Sequence, residues 1–124
     1  MSSKKILVID DDDTAREVVC AILAEAGFSA VPLATPIGAT RLIREIGITA
    51  VVCDLNMPAM RGDSLAKLFK ESKALQHVRI ILISGAPSEE LEAILRAKSV
   101  DAFVHKSALQ RELIPALRRL LSEK

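Results

Sequence analysis

The chain has 124 residues, half of them hydrophobic, and a formal net charge of +1. That length suits one domain built on one core, and the near-neutral balance excludes recruitment to nucleic acid or an anionic membrane by bulk charge. No apolar stretch approaches the ~20 residues needed to cross a bilayer, and with three Phe, no Trp and no Tyr there is no platform on which to stack bases.

Met1-Ser2-Ser3-Lys4-Lys5 leads straight into an apolar run, without the hydrophobic segment and cleavage site of a signal peptide, which predicts a cytoplasmic protein. Short aliphatic runs then alternate with segments of helical period, the pattern of repeated βαβ units around a parallel sheet. The predicted strands lie near 4–9, 29–33, 49–54, 79–84 and 101–105, and the helices near 13–26, 36–46, 63–73, 87–97 and 109–122. In the first helix Asp13 or Thr14 is the expected N-cap, Thr14 and Glu17 fit a capping box, Gly27 fits a left-handed C-cap, and Val18, Val19, Ile22 and Leu23 form the core stripe. Pro87 and Ser88 open the fourth helix. In the last helix Pro115 removes an amide donor and is expected to kink the helix or delay its start. Cys20 and Cys53 fall in apolar patterns and read as small buried hydrophobes rather than as a disulfide or metal pair. With no linker or repeat, residues 1–124 read as a single domain without an attached effector domain.

Four apolar runs end on polar residues: Ile6–Ile9 on Asp10 and Asp11, Ala50–Cys53 on Asp54, Ile80–Ile83 on Ser84, and Ala102–His105 on Lys106. If those runs are parallel strands, their carboxyl ends share one edge of the sheet, where open α/β folds bind ligands. Asp12 and Asp13 read as acids favoured at a helix N-terminus. Asp10, Asp11 and Asp54 differ, because two carboxylates about 4 Å apart repel by roughly 4 kcal/mol at an effective dielectric near 20. A site that gathers three must protonate one or bind a cation. Magnesium takes few carboxylates plus waters and phosphate oxygens, which assigns Asp11 and Asp54 as direct ligands, Asp10 as a ligand through water and the Asn56 backbone carbonyl as a further oxygen. Manganese is the alternative ion.

Lys106 supplies an ammonium and Ser84 a hydroxyl, the groups needed beside a metal to neutralise the equatorial oxygens of a transferring phosphoryl group. His77 and His105 have no oriented partner in their strand-edge context and read as non-catalytic.

The ordered set of Ile-Leu-Val-Ile-Asp10-Asp11-Asp12, Asp54-Leu-Asn-Met57-Pro58-Ala-Met-Arg-Gly62, Ile-Ser84-Gly and Phe103-Val-His-Lys106 resembles the receiver domain of two-component response regulators, over nearly the whole chain. The resemblance implies a flavodoxin-like (CheY-like), doubly wound five-stranded parallel sheet of order 2-1-3-4-5 with five helices. It implies that Asp54 attacks a phosphoryl group offered by a sensor histidine kinase or phosphotransfer protein, giving an aspartyl phosphate. It also implies that Asp10 and Asp11 are the acidic magnesium pair, Ser84 the switch hydroxyl, Phe103 the switch aromatic and Lys106 the lysine that pairs with the phosphoryl group. A dianionic group drawing Ser84 toward it would vacate space for Phe103, repacking a face of the fourth helix, fifth strand and fifth helix that an effector protein reads.

Four positions depart from the family pattern. Lys106 is followed by Ser107 rather than by a proline in a cis peptide, so a trans bond and an altered loop are expected, since a cis bond before a non-proline residue costs roughly 2.5–4 kcal/mol. Gly85 replaces the usual alanine, Arg61 stands where acidic or small residues are frequent, and Ser99 replaces a common turn glycine. None removes a catalytic group. The leading function is therefore a phosphoacceptor in signal relay that turns over no external substrate. The alternatives are a non-phosphorylated adaptor of the same fold and a small phosphatase with an aspartate nucleophile, although the slot two residues after Asp54 holds Asn56 rather than a second acid.

Overall fold

Neighbours along a strand point to opposite faces of the sheet, so a strand that is apolar at nearly every position needs cover on both sides. β1 (Lys5–Ile9), β3 (Ile48–Asp54) and β4 (Arg79–Ser84) are such strands. The computed structural model of the chain describes residues 4–85, 88–97 and 99–122, with the Ser88 side chain left aside. Among the described residues β2 (Ser29–Leu33) and β5 (Ala102–His105) complete one parallel sheet of order β2-β1-β3-β4-β5. The helices between them are α1 (Asp13–Glu25), α2 (Ala39–Ile46), α3 (Gly62–Glu71), α4 (Ser88–Arg96) and α5 (Leu109–Ser122), the last preceded by a 3-10 turn at Lys106–Ala108.

Strand alternation sorts the core into two layers. Leu7, Ile9, Val51, Cys53, Ile80 and Leu82 face Ala39 and Ile43 of α2, Leu65, Ala66 and Phe69 of α3 and Leu91 of α4. Ile6, Val8, Ala50, Val52, Ile81, Ile83, Ala102 and Val104 face Val19, Ile22 and Leu23 of α1 and Leu113, Ala116, Leu117 and Leu120 of α5. Helices thus cover both faces, the doubly wound arrangement. Phe69 is fully buried, and truncating it to Ala would cost about 3–5 kcal/mol in lost contacts and cavity.

The register aligns the strand ends that matter. Ile9 lies opposite Cys53, Asp54 opposite Ile83, and Ser84 opposite His105. Asp10, Asp54, Ser84 and Lys106 therefore stand at the carboxyl edge within about one residue of level.

Several local expectations are corrected. The N-cap of α1 is Asp12, whose side chain accepts from the Thr14 amide, rather than Asp13 or Thr14; Gly27 follows the helix at φ +93 as expected. Val18 is 40% exposed and outside the core stripe. Helix α2 begins at Ala39, not at 36, because Gly38 at φ +89 is non-helical and Pro36 belongs to the preceding turn, where its carbonyl accepts from the Ala39 amide. Helix α5 starts at Leu109 as predicted and runs unbroken through Pro115. Pro115 and Arg111, whose carbonyl loses its helical donor, are both exposed, so water can take that carbonyl while Leu113 and Leu117 keep the other face packed. Pro87 lies outside the described residues. The Lys106–Ser107 bond is trans, as are the other peptide bonds among the described residues.

Candidate functional site

Asp10 follows the last residue of β1 and is held from three directions. Its amide donates to the Leu33 carbonyl across the sheet, one Oδ accepts from the Asp12 amide at 3.0 Å, and its carbonyl accepts from Arg16 Nη1 at 2.7 Å. The other terminal nitrogen of Arg16 pairs with Asp13 at 2.5 Å, so one guanidinium fastens the loop that carries Asp10 and Asp11 to the first turn of α1. Asp54 ends β3, with 7% of its surface exposed. The next amide, on Leu55, donates to the Ile83 carbonyl, and the Leu55 carbonyl accepts from the Gly62 amide. A short loop thus returns the chain to α3 directly under Asp54.

Carboxylate oxygens of Asp10, Asp11 and Asp54 lie within 4.8 Å of one another. Lys106 reaches in from the end of β5, its Nζ 3.3 Å from Asp54 Oδ1. At 4.8 Å each carboxylate pair repels by roughly 3 kcal/mol at an effective dielectric near 20. Burial holds the Asp10 carboxyl above the ordinary carboxylate range; the charges of Asp54 and Asp11 push the same way, against the Asp12 hydrogen bond and the Lys106 ammonium. One ammonium does not neutralise three acids. An all-oxygen donor set with excess negative charge, two members buried and Asp11 exposed to solvent, fits a hard divalent cation with water-filled positions.

Ser84 is buried at the end of β4, one residue beyond Ile83, the partner of Asp54. Phe103 in β5 is half-buried and packs on the layer that includes Leu91 and Ile94 of α4. Asn56 is exposed in the loop after β3, and its side-chain oxygen accepts from Arg61 Nη1 at 3.4 Å. Cys53 and Cys20 are free thiols, the first buried and the second half-buried.

Against this geometry the comparisons with known proteins are decisive for family. Residues 6–118 match the family model of the response regulator receiver domain. The chain belongs to that family. It is similar to the chemotaxis protein CheY-3 of Vibrio cholerae, 31% identical over 87 residues that cover 69% of this chain and 67% of that protein. It is also similar to the DNA-binding response regulator MtrA of Mycolicibacterium smegmatis, 26% identical over 119 residues, but spans only 50% of MtrA's length. In fold it matches the crystal structure of a putative response regulator from Chloroflexus aurantiacus with a TM-score of 0.90 at 20% identity, covering 98% of this chain and all of that one.

The receiver's predicted site residues thus converge as three carboxylates, one ammonium and a neighbouring hydroxyl. Four further participants escaped the sequence reading. Arg16 binds a carbonyl six residues away, an interaction no periodicity announces. Arg61, one of the departures from the family pattern, connects Asn56, Asp63 at 3.0 Å and Glu90 of α4 at 3.4 Å. Gly62 leaves no room for a side chain beside Asp54. His105, expected to lack an oriented partner, has one: its Nδ1 accepts from the Ser107 amide at 3.2 Å and lies 2.9 Å from Ser107 Oγ.

Proposed function

We propose that this receiver is a phosphoacceptor of a two-component phosphorelay, with Asp54 taking a phosphoryl group from the phosphohistidine of a sensor histidine kinase or phosphotransfer protein. An Asp54 oxygen attacks phosphorus, the phosphorus–nitrogen bond breaks, and the imidazole leaves with the electron pair and takes up a proton. The observation that carries the reading is the 3.3 Å approach of Lys106 Nζ to Asp54 Oδ1 beside two further carboxylates. Asp11 and Asp54, the Asn56 carbonyl, and Asp10 through water would hold Mg2+ or Mn2+. When bound, the ion supplies positive charge for the transferring phosphoryl oxygens. Asp10 stays fixed by its backbone contacts, Lys106 follows the new charge, and the Ser84 hydroxyl donates to a phosphoryl oxygen.

Output follows from packing. Phe103 is half-buried and packs on the layer that includes Leu91 and Ile94 of α4, so motion of Ser84 toward the phosphoryl group would let it repack the face of α4, β5 and α5 that a downstream effector reads. The chain acts on itself, through its own phosphorylation and dephosphorylation, and turns over no external substrate. A cytoplasmic location accords with its free thiols; no helix among the described residues is long and apolar enough to cross a membrane. The net charge of +1 offers no bulk attraction to nucleic acid.

The test is incubation with acetyl phosphate and Mg2+, followed by intact mass, with Asp54→Asn as control. A metal-dependent gain of one phosphoryl group, absent in the variant, supports the reading. Absence of any adduct at high donor concentration would favour a binding-only adaptor, and continuous release of phosphate from unrelated esters a phosphatase.

A further inference from the structure

The Lys106 side chain is 43% exposed, so packing does little to aim it, and a lysine that settles on one geometry gives up much of its rotamer freedom. Its direction must come from the backbone that launches it. Lys106 leaves β5 at the first position of the 3-10 turn Lys106–Ala108, and His105 is the N-cap of that turn, with extended backbone at φ −70, ψ 141. The cap is a side-chain one. His105 Nδ1 accepts from the Ser107 amide and sits within hydrogen-bond distance of Ser107 Oγ, so the ring spans Lys106 from the residue before it to the residue after it. His105 is itself fixed, paired in register with Ser84. Ala108, buried, anchors the far end of the turn.

We infer that His105 and Ser107 form a clamp around Lys106 that aims its ammonium at Asp54, making His105 a positioning residue for phosphoryl transfer. The inference rests on the phosphoacceptor reading of Asp54. The imidazole does not touch the reacting atoms; it acts only as an acceptor, through a neutral ring whose proton is on Nε2, because Nδ1 must keep its lone pair to receive the amide. An Asn side chain can make the same bond, since its oxygen reaches the amide two residues on in an Asx turn; Ala cannot.

The experiment compares wild type, His105→Ala and His105→Asn for the rate of Asp54 phosphorylation by acetyl phosphate at saturating Mg2+, with Mg2+ affinity measured separately. His105→Ala should be slower by about tenfold, because misplacing a charge-neutralising group costs that order of rate, with Mg2+ affinity unchanged. His105→Asn should recover most of the loss. Equal rates for wild type and His105→Ala would overturn the clamp alone, and so would an Asn variant as slow as the Ala variant. A wild type that takes up no phosphoryl group would overturn the phosphoacceptor reading and, with it, the clamp's role. Imidazole 15N shifts of the wild-type protein check the clamp without any variant: an unprotonated, hydrogen-bonded Nδ1 supports it, and a proton on Nδ1 of the neutral ring overturns it.

Discussion

Gly62 and Asp54 touch backbone to backbone: a Cβ added to Gly62 would lie 2.6 Å from the Asp54 carbonyl oxygen, 2.7 Å from Leu82 Cδ2 and 3.2 Å from Cys53 Sγ. The first turn of α3 can therefore approach the end of β3 only through glycine. Because the atom in the way is the backbone oxygen of Asp54, the proposed phosphoacceptor, relief must move Asp54 or the helix.

Gly62→Ala should thus lower stability by about 1–3 kcal/mol, the usual cost of overpacking, and weaken Mg2+ binding at the same time. Urea denaturation and a Mg2+ titration measure the two together. Wild-type stability in the variant would mean that the close approach is not maintained in solution.

Asp11→Asn removes one of three converging carboxylates from an exposed position. The expected result is weaker Mg2+ binding together with a metal-free protein more stable by up to about 1 kcal/mol, the scale of exposed charge interactions. Thermal unfolding in chelator decides it. A variant no more stable than wild type without metal would argue against a crowded acidic site.

Asp10 makes the pH dependence of that crowding specific. Its carboxyl is raised above the ordinary value of 3.8, first by burial and then by Asp54 and Asp11. The proton is held more tightly in the folded state, so this contribution to stability is fully present below pH 3.8 and is lost as pH rises through the folded pKa. In metal-free protein Asp10→Asn should therefore bring no gain below pH 3.8, a gain that grows between pH 3.8 and the folded pKa, and a constant gain above it. Denaturant melts of both proteins across pH give the difference; a gap that does not change with pH would contradict the assignment.

The Cys53 thiol is pushed up to about 12 by burial and then by the charges of Asp54, Asp10 and Asp63. In native protein at pH 8 it should resist iodoacetamide and react only on unfolding, while half-buried Cys20 is modified first. Peptide mass spectrometry over a time course distinguishes the two sites, and early labelling of Cys53 would show that β3 is open.

A parallel sheet was legible in the sequence because strands covered on two faces leave unbroken aliphatic runs, and the meeting of Asp10, Asp11, Asp54 and Lys106 was legible because those runs stop on polar residues; the strand order came only with the family resemblance, since periodicity does not say which strands are neighbours. What stayed hidden depends on groups that carry no period. Val18 lies in the helical stripe of α1 yet is exposed, since a stripe gives the angle of a face but not how far the neighbouring element reaches. The missing amide of Pro115 predicts a kink or a delayed start, whereas its position on the exposed side of α5 makes that loss tolerable. Arg16 on the Asp10 carbonyl, Gly62 against Asp54 and His105 on the Ser107 amide are all side-chain or Cβ relations with backbone atoms, which residue types alone do not specify. Ser107 gave a partial signal: where proline has no N–H, serine offers a donor, and the neighbouring His105 uses it.

The most direct test is chemical trapping of the acyl phosphate. Protein treated with acetyl phosphate and Mg2+, then reduced with borohydride, should carry homoserine at position 54 in the peptide map, and chelator should abolish it. Homoserine at Asp10, at Asp11 or at no position would contradict the assignment of Asp54 as the phosphoacceptor.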